Sequence, residues 1–321
     1  MRVGCVPGCS DSHRRARPAV GRYRARGPDH SRSRPSVSHR RSRHGPPATP
    51  ATFINVPPIP GRMMVVKIGG SVITDKAEEK VLRHEVLGGI ARAVARIPGA
   101  VAVVHGAGSY GHPLAKRSGV GTAPHENDRA GAVAEISRDV RELNLHVLNA
   151  LLKAGCPAIS VPPSATVIAE DGRVAGVHID VLRAWLERGF VPVTFGDVVP
   201  DRDIGVGIIS GDEMMYHVAL AAGAHMAVFL SDVDGVFDRD PSVHGAVLLT
   251  SVAPDSHVLF GEVECDVTGA LEGKLGWMFR LAGEGVETWM LNGLVPERLV
   301  DLATGGTPRG TRILAEGGER G

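Results

Sequence analysis

A single three-layer αβα domain with a mostly parallel central sheet is the fold this 321-residue chain predicts. Three observations carry it. From Met63 onward, short β-branched runs alternate with segments of helical period. The early runs, such as Met64-Val65-Val66-Lys67-Ile68, are apolar almost throughout, as in strands covered on both faces. The Gly-rich stretches then fall at the carboxyl ends of those strands, where open α/β sheets bind ligands.

The elements follow in order. Residues 64–68 read as a first buried strand ending at Gly69-Gly70, and a helix over 81–96 is closed by Pro98-Gly99. Residues 100–104 give a second strand that stops at His105-Gly106. A long helix is expected over 128–153, because Val133, Ile136, Val140, Leu143, Val147, Leu148 and Leu151 share one face and Gly155 ends it. A third strand covers 158–161. Asp171-Gly172 between 166–169 and 173–177 is a hairpin signal. A short helix over 181–188 and a strand over 191–195 come next. Ser210 or Asp212 suits the cap of a helix running to Ala222. Residues 227–230 form another apolar strand leading into the loop 231–235. A helix over 271–282, an extended stretch over 288–291, a helix over 296–302 and a strand over 311–314 complete the pattern.

Composition bounds the function. Hydrophobic residues at 43% and charged ones at 22% exclude wholesale disorder. No apolar run approaches the roughly 18 residues of a membrane span. The formal charge of +1 hides an asymmetry: residues 1–62 hold 13 Arg, no Lys, no Leu and two acids, a formal +11, leaving −10 for the remainder. Such a segment buries too little apolar surface to offset its ordering entropy, so a disordered extension over 1–62 and a folded domain over 63–321 are expected. Three readings of the extension stand: a targeting segment, a basic nucleic-acid arm, or a chain that starts in the cell at Met63 or Met64. The abrupt change in composition favours the last, so nucleic acid is not expected as a partner. Cys156 and Cys265 lack a zinc-spaced companion, and Cys156 is expected to be a small core residue in a reduced, cytoplasmic protein.

Four segments hold the chemistry. Lys67-Ile68-Gly69-Gly70-Ser71, with Thr74-Asp75-Lys76 after it, sets backbone amides and two lysines at a strand mouth. No Walker A pattern is present there. His105-Gly106-Ala107-Gly108-Ser109-Tyr110-Gly111-His112-Pro113 reads as a Gly-rich loop after the second strand. It differs from a dinucleotide fingerprint in following the second strand and in lacking the later acidic residue. Ser231-Asp232-Val233-Asp234-Gly235 is an acidic loop without EF-hand spacing, suited to a ribose or to orienting a lysine. Asp266-Val267-Thr268-Gly269-Ala270-Leu271-Glu272-Gly273-Lys274 reads as a Gly-spaced loop entering a helix that begins with Lys, a place for phosphates.

Taken together and in this order, these segments resemble the amino acid kinase superfamily over residues 64–314, with Ser210-Gly211-Asp212 and the Asp232 stretch as its internal hallmarks. Ile73-Thr74-Asp75-Lys76 joined to Gly108-Ser109-Tyr110-Gly111-His112-Pro113 is similar to its isopentenyl phosphate kinases. The resemblance implies ATP-dependent phosphorylation of isopentenyl phosphate, with Mg²⁺ carried on the ATP phosphates and no metal ligands from the protein. It implies His112, with Ala107, Gly108, Gly111 and Gly211, at the acceptor, and Lys76 on the transferring group. Lys67, Gly69, Gly70, Ser71, Gly108, Asp232, Gly269, Gly273 and Lys274 would hold ATP, and Asp212 would join Lys67, Lys76 and His112 in catalysis. A protonatable His112 would then offset the charge of two facing phosphates. A homodimer is implied too. Two departures stand out: Ala270 replaces a glycine common at that place, and the extension is foreign to the family. A fosfomycin-type or other small phosphate or phosphonate kinase is the nearest alternative. A non-catalytic nucleotide binder with a basic arm is another, although four retained site residues (Lys67, Lys76, Asp212, Lys274) exceed what a binder needs.

The charge asymmetry generates a prediction. A chain beginning at Met63 should keep its thermal midpoint and kinase turnover close to those of the full chain. Insolubility or loss of turnover on truncation would refute the reading of residues 1–62.

Overall fold

The structure is a computed structural model that describes residues 61–75, 77–121, 129–178, 180–254 and 267–316, with side chains of the last stretch described from Gly273 onward. Apart from Gly61 and Arg62, the extension lies outside the described residues, as does Lys76. Along the chain run β1 (Met63–Ile68), α1 (Gly70–Ile73), α2 (His84–Val94), β2 (Ala100–His105), α3 (Gly108–Ser118) and α4 (Ala130–Lys153). Next come β3 (Ala158–Ser160), α5 (Pro163–Thr166), β4 (Val167–Glu170), β5 (Arg173–Val177), α6 (Asp180–Leu186), β6 (Val191–Phe195), β7 (Asp197–Asp201) and β8 (Gly205–Ile209). The remaining elements are α7 (Gly211–Ala222), β9 (Met226–Ser231), β10 (Ser251–Val252), α8 (Val267–Gly283), β11 (Glu287–Asn292), α9 (Glu297–Ala303) and β12 (Gly310–Ile313).

Eight strands form the main sheet in the order β10-β12-β11-β9-β1-β2-β6-β3. All neighbours are parallel except β11 and β12. Alternation along β1 divides the core between the two faces. Met64, Val66 and Ile68 pack with Leu87 and Ile90 of α2 and Leu143 and Val147 of α4. Met63 and Val65 pack with Met214 and Val218 of α7 and Met278 of α8 on the other face. Lys67 shares the parity of Met63 and Val65, so the strand aims it at α7. His105 shares the parity of Val101 and Val103, so β2 aims it at α4. A two-residue period thus decides which helix each polar strand-end residue meets.

The structure differs most from the sequence reading in four places. A second sheet, β5-β4-β7-β8, flanks the main one. Its β4–β5 hairpin was expected, and Asp171 (φ 49°) and Gly172 (φ 72°) give the two left-handed residues of its turn. Its β7–β8 hairpin was not, because Asp197, Pro200 and Asp201 interrupt the β pattern. The stretch from Gly108 to Ser118 is a helix rather than a loop, despite Pro113 inside it. Thr268 to Lys274 is already helical, which puts Lys274 in the third turn of α8 rather than at its start. Two glycines there, each costing about 1 kcal/mol, do not stop the helix. Ser210 is the cap of α7, accepting from Glu213 N at 3.0 Å, and Cys156 is buried.

Candidate active site

The carboxyl ends of β1 and β2 meet in a backbone-on-backbone contact that no side chain could enter. A Cβ on Gly70 would lie 2.4 Å from Gly108 N, and one on Gly106 would lie 2.8 Å from Gly70 N. Gly108 itself adopts φ +51°, where a Cβ would meet Thr74 Oγ1 at 2.3 Å. Thr74 locks this junction. Its buried hydroxyl donates to Gly70 O at 2.8 Å and accepts from Ser109 N at 3.0 Å. The start of α7 closes the third side, with the Cβ position of Gly211 only 3.0 Å from His105 O.

The junction leaves donors without acceptors. Gly70 and Ser71 open α1, Ala107 and Gly108 open α3, and Gly211 and Asp212 open α7. The first amides of a helix have no acceptor within it, and none of these six has one among the described residues. Ser109 Oγ adds a buried hydroxyl with no hydrogen-bond partner among the described residues. Converging amides with an orphaned hydroxyl are donor chemistry for phosphate oxygens.

Charge is placed beside these donors. Lys67 Nζ reaches Asp212 Oδ1 at 2.9 Å, with the lysine side chain 6% exposed and the carboxylate 21%. Asp212 sits in the first turn of α7, where the helix dipole favours a negative charge. His112, on the second turn of α3, reaches solvent while protein flanks it. Its pKa lies below the ordinary histidine range, first because the surrounding protein displaces water and then because Lys67 is positive, with Asp212 opposing. This direction favours the neutral imidazole over the charged one.

Pro113 has a structural consequence that the sequence did not disclose. Lacking an N–H, it leaves the carbonyl of Ser109 without its helical donor. Lys80 N takes that carbonyl at 3.4 Å, from a left-handed backbone at φ 60°. Lys80 Nζ then pairs with the buried Asp139 of α4 at 2.7 Å. The segment following Lys76 is thereby tied to both α3 and α4.

Other predicted residues have mixed outcomes. Gly69 N donates to Leu230 O at 3.0 Å, joining the first phosphate segment to the end of β9. Asp232, just beyond β9, is half-buried. Asp234 is structural: Asn292 Nδ2 at 2.9 Å, Arg298 at 2.6 Å and Arg309 at 2.7 Å converge on it. Those donors hold its pKa down at about 2 against the opposing effect of burial. Gly111 packs tightly, since a Cβ there would lie 2.7 Å from Ala107 Cβ. Gly269 lies in the first turn of α8 and Gly273 and Lys274 further along it, with Lys274 half-buried. Lys76 lies outside the described residues. Sequence reasoning quoted Thr74 and Ser109 within its segments but gave neither a role, since single hydroxyls carry no spacing signal.

His105 also acquires a defined state. It is wholly buried and stacked on Phe195 with ring centroids 5.1 Å apart. Burial pushes its pKa down to about 4. Because the folded value lies below the unfolded one of about 6.5, the unfolded chain binds the extra proton between them. The associated stability is complete above pH 6.5 and is lost as pH falls toward 4, by roughly 3 kcal/mol. Urea midpoints measured from pH 7 to 4 should show this loss in the wild type and a shallower slope in His105→Asn. Equal slopes would contradict a buried neutral His105.

Comparisons with known proteins agree with this architecture. Residues 62–292 match the Amino acid kinase family. The isopentenyl phosphate kinase of Methanothermobacter thermautotrophicus is 38% identical over 265 residues, covering 79% of this chain and 100% of that protein. A crystallographic isopentenyl phosphate kinase structure superposes with a TM-score of 0.71 at 36% identity, over 78% of this chain and all of the other. A substrate complex of an isopentenyl phosphate kinase superposes at 0.67 with 33% identity over 78% of this chain and 100% of the other. The match runs through β1, β2, α7 and β9, whose ends build the glycine junction, and the chain belongs to the amino acid kinase family, among relatives that are isopentenyl phosphate kinases.

Proposed function

We propose that this chain transfers the γ-phosphoryl group of ATP to isopentenyl phosphate, giving ADP and isopentenyl diphosphate. One observation carries the reading: unpaired helix-start amides, the Lys67–Asp212 pair and His112 converge at one sheet edge, in a chain 38% identical to an isopentenyl phosphate kinase over that enzyme's whole length. An apolar cluster of Val120, Ile136, Val140, Phe195 and Val198 adjoins α3, and Leu114 packs against it.

In this reading Lys67, Gly69, Gly70, Ser71, Asp232 and the α8 residues Gly269, Gly273 and Lys274 hold ATP. Ala107, Gly108, Gly111, Gly211 and His112 receive the acceptor's phosphate. An oxygen of that phosphate attacks the γ-phosphorus as the bond to the ADP oxygen breaks. The attacking oxygen is already deprotonated, so no carboxylate base is required. The protein aligns two anions and neutralises charge on the equatorial oxygens, the main demand of phosphoryl transfer. Asp212 keeps Lys67 in place, and Lys76 meets the transferring group. Among the described residues no cluster of three or more His, Cys, Asp or Glu could hold a metal ion. In the same reading Mg²⁺ would be held largely by ATP oxygens and water, where it neutralises phosphate charge. The same resemblance extends to a homodimer in the cytoplasm.

ADP release from Mg-ATP, measured in parallel with isopentenyl phosphate, dimethylallyl phosphate, fosfomycin and UMP, should favour the isoprenoid phosphates. A preference for fosfomycin or UMP would overturn the acceptor assignment. Lys76→Ala should lower turnover by about 10²–10³-fold with little change in either KM. Wild-type turnover in that variant would remove Lys76 from the mechanism. His112→Ala should weaken binding of isopentenyl phosphate by about 10–100-fold, the scale of a hydrogen bond to a charged group. His112→Gln should retain more, and ATP affinity should stay level in both. Unchanged acceptor affinity in His112→Ala would exclude the histidine from the acceptor site.

A further inference from the structure

Behind the glycine junction lies a polar chain with one consistent set of protons. His105 Nδ1 is 3.0 Å from Gly106 O, and a carbonyl only accepts, so Nδ1 carries the hydrogen. Its Nε2, 3.1 Å from Asn144 Nδ2, must then accept from that amide. The assignment leaves Asn144 Oδ1 as an acceptor, and Ser160 Oγ donates to it at 2.7 Å. Every donor in the relay meets an acceptor only if the histidine is the neutral Nδ1–H tautomer. Asn144 and His105 are both buried, and Phe195 stacks on the ring. Strand β2 is thereby bolted to α4 and β3 through one side chain.

The bond to Gly106 O also orients a peptide plane. In a trans peptide the carbonyl and the following N–H point in opposite directions. Pinning Gly106 O against the buried ring therefore turns the Ala107 N–H away from the core. Among the described residues nothing accepts from that N–H. Gly106 has no side chain of its own to fix this peptide plane, so the bond to its carbonyl does so.

We infer that His105 is a positioning residue that holds the Gly106–Ala107 peptide as a preset hydrogen-bond donor to the acceptor's phosphate. The inference rests on the reading of the His112 helix start as the acceptor's phosphate site. His105 touches no substrate in this role. It removes the reorganisation that a peptide plane without this bond would undergo on binding.

Variants at one position separate the two ring nitrogens. His105→Asn keeps a donor near the Nδ1 position, so its KM for isopentenyl phosphate should stay within about threefold of wild type. His105→Gln moves the amide toward the Nε2 position and loses the bond to Gly106, so that KM should rise about tenfold or more while the KM for ATP stays within about twofold. The double variant His105→Leu/Asn144→Leu removes both buried partners together and should match Gln in kinetics. As a binding readout free of turnover, the Ala107 amide resonance should move on titration of the wild-type protein with inorganic phosphate. In His105→Gln its response should be at least about threefold smaller at the same phosphate concentration. Equal acceptor KM in the Asn and Gln variants would overturn the inference, as would a wild-type Ala107 resonance that stays still while that of His112 moves. A responsive Ala107 in a protein inactive on isopentenyl phosphate would uphold the positioning role and reject the proposed substrate instead.

Discussion

Everything at this site depends on how closely two backbones approach. The contact between Gly70 and Gly108 leaves no room for a Cβ on either residue, and it brings the starts of α1 and α3 to one point. Each helix start brings amides that its own helix cannot satisfy. With larger residues here, the strand ends would separate and the amides would no longer converge. Thr74 is the clasp, since one hydroxyl bonds both sides of the contact. The lysine, the histidine and the third helix start are then arranged around a centre that contains no side chain.

Most of the fold was legible in the sequence because its signals are redundant. The apolar runs of β1, β2, β6 and β9 and the stripe of α4 each repeat one instruction over many residues. What was illegible depends on single residues or distant partners. Helix α3 carries a proline and two glycines, so local propensity reads as a loop; packing on α4 and the Lys80 bond to Ser109 O hold it as a helix. The β7–β8 hairpin is hidden because Asp197 and Asp201 are placed there by hydrogen bonds to Ser164, Gly172 and Ile204. The segment before Lys274 gave the reverse error, since its glycines suggested a loop where the chain is helical.

The site residues were legible to different degrees for a related reason. Lys67, Gly70, Gly108 and His112 lie in Gly-rich segments at strand ends whose glycines are individually weak signals, and the proposed roles of His112 and Asp212 come from the resemblance to the amino acid kinases. Asp234 shares its segment with Asp232, yet it is engaged by Arg298, Arg309 and Asn292, which arrive from residues about 60 to 75 positions later. No count of local acids could separate the two aspartates. Nor could spacing find the relay through His105, because Asn144 and Ser160 join it from separate elements.

The two histidines of one motif show how environment divides identical side chains. His105 and His112 are seven residues apart, and both have lowered pKa values with desolvation as the leading cause. Their remaining surroundings differ. His105 is enclosed by a carbonyl, an amide and an aromatic ring, an arrangement that only the neutral tautomer satisfies. His112 faces Lys67 and Asp212 and reaches solvent, so its proton is decided by charges that a ligand can change. On the proposed function, an arriving phosphate dianion would oppose the effect of Lys67 and raise the affinity of His112 for a proton. Acceptor binding that raises the proton affinity of His112 would tighten as pH falls toward the histidine range. His105 would keep the same proton throughout, and the Gly106–Ala107 turn and the start of α3 between them would keep their shape while the charge on His112 changed.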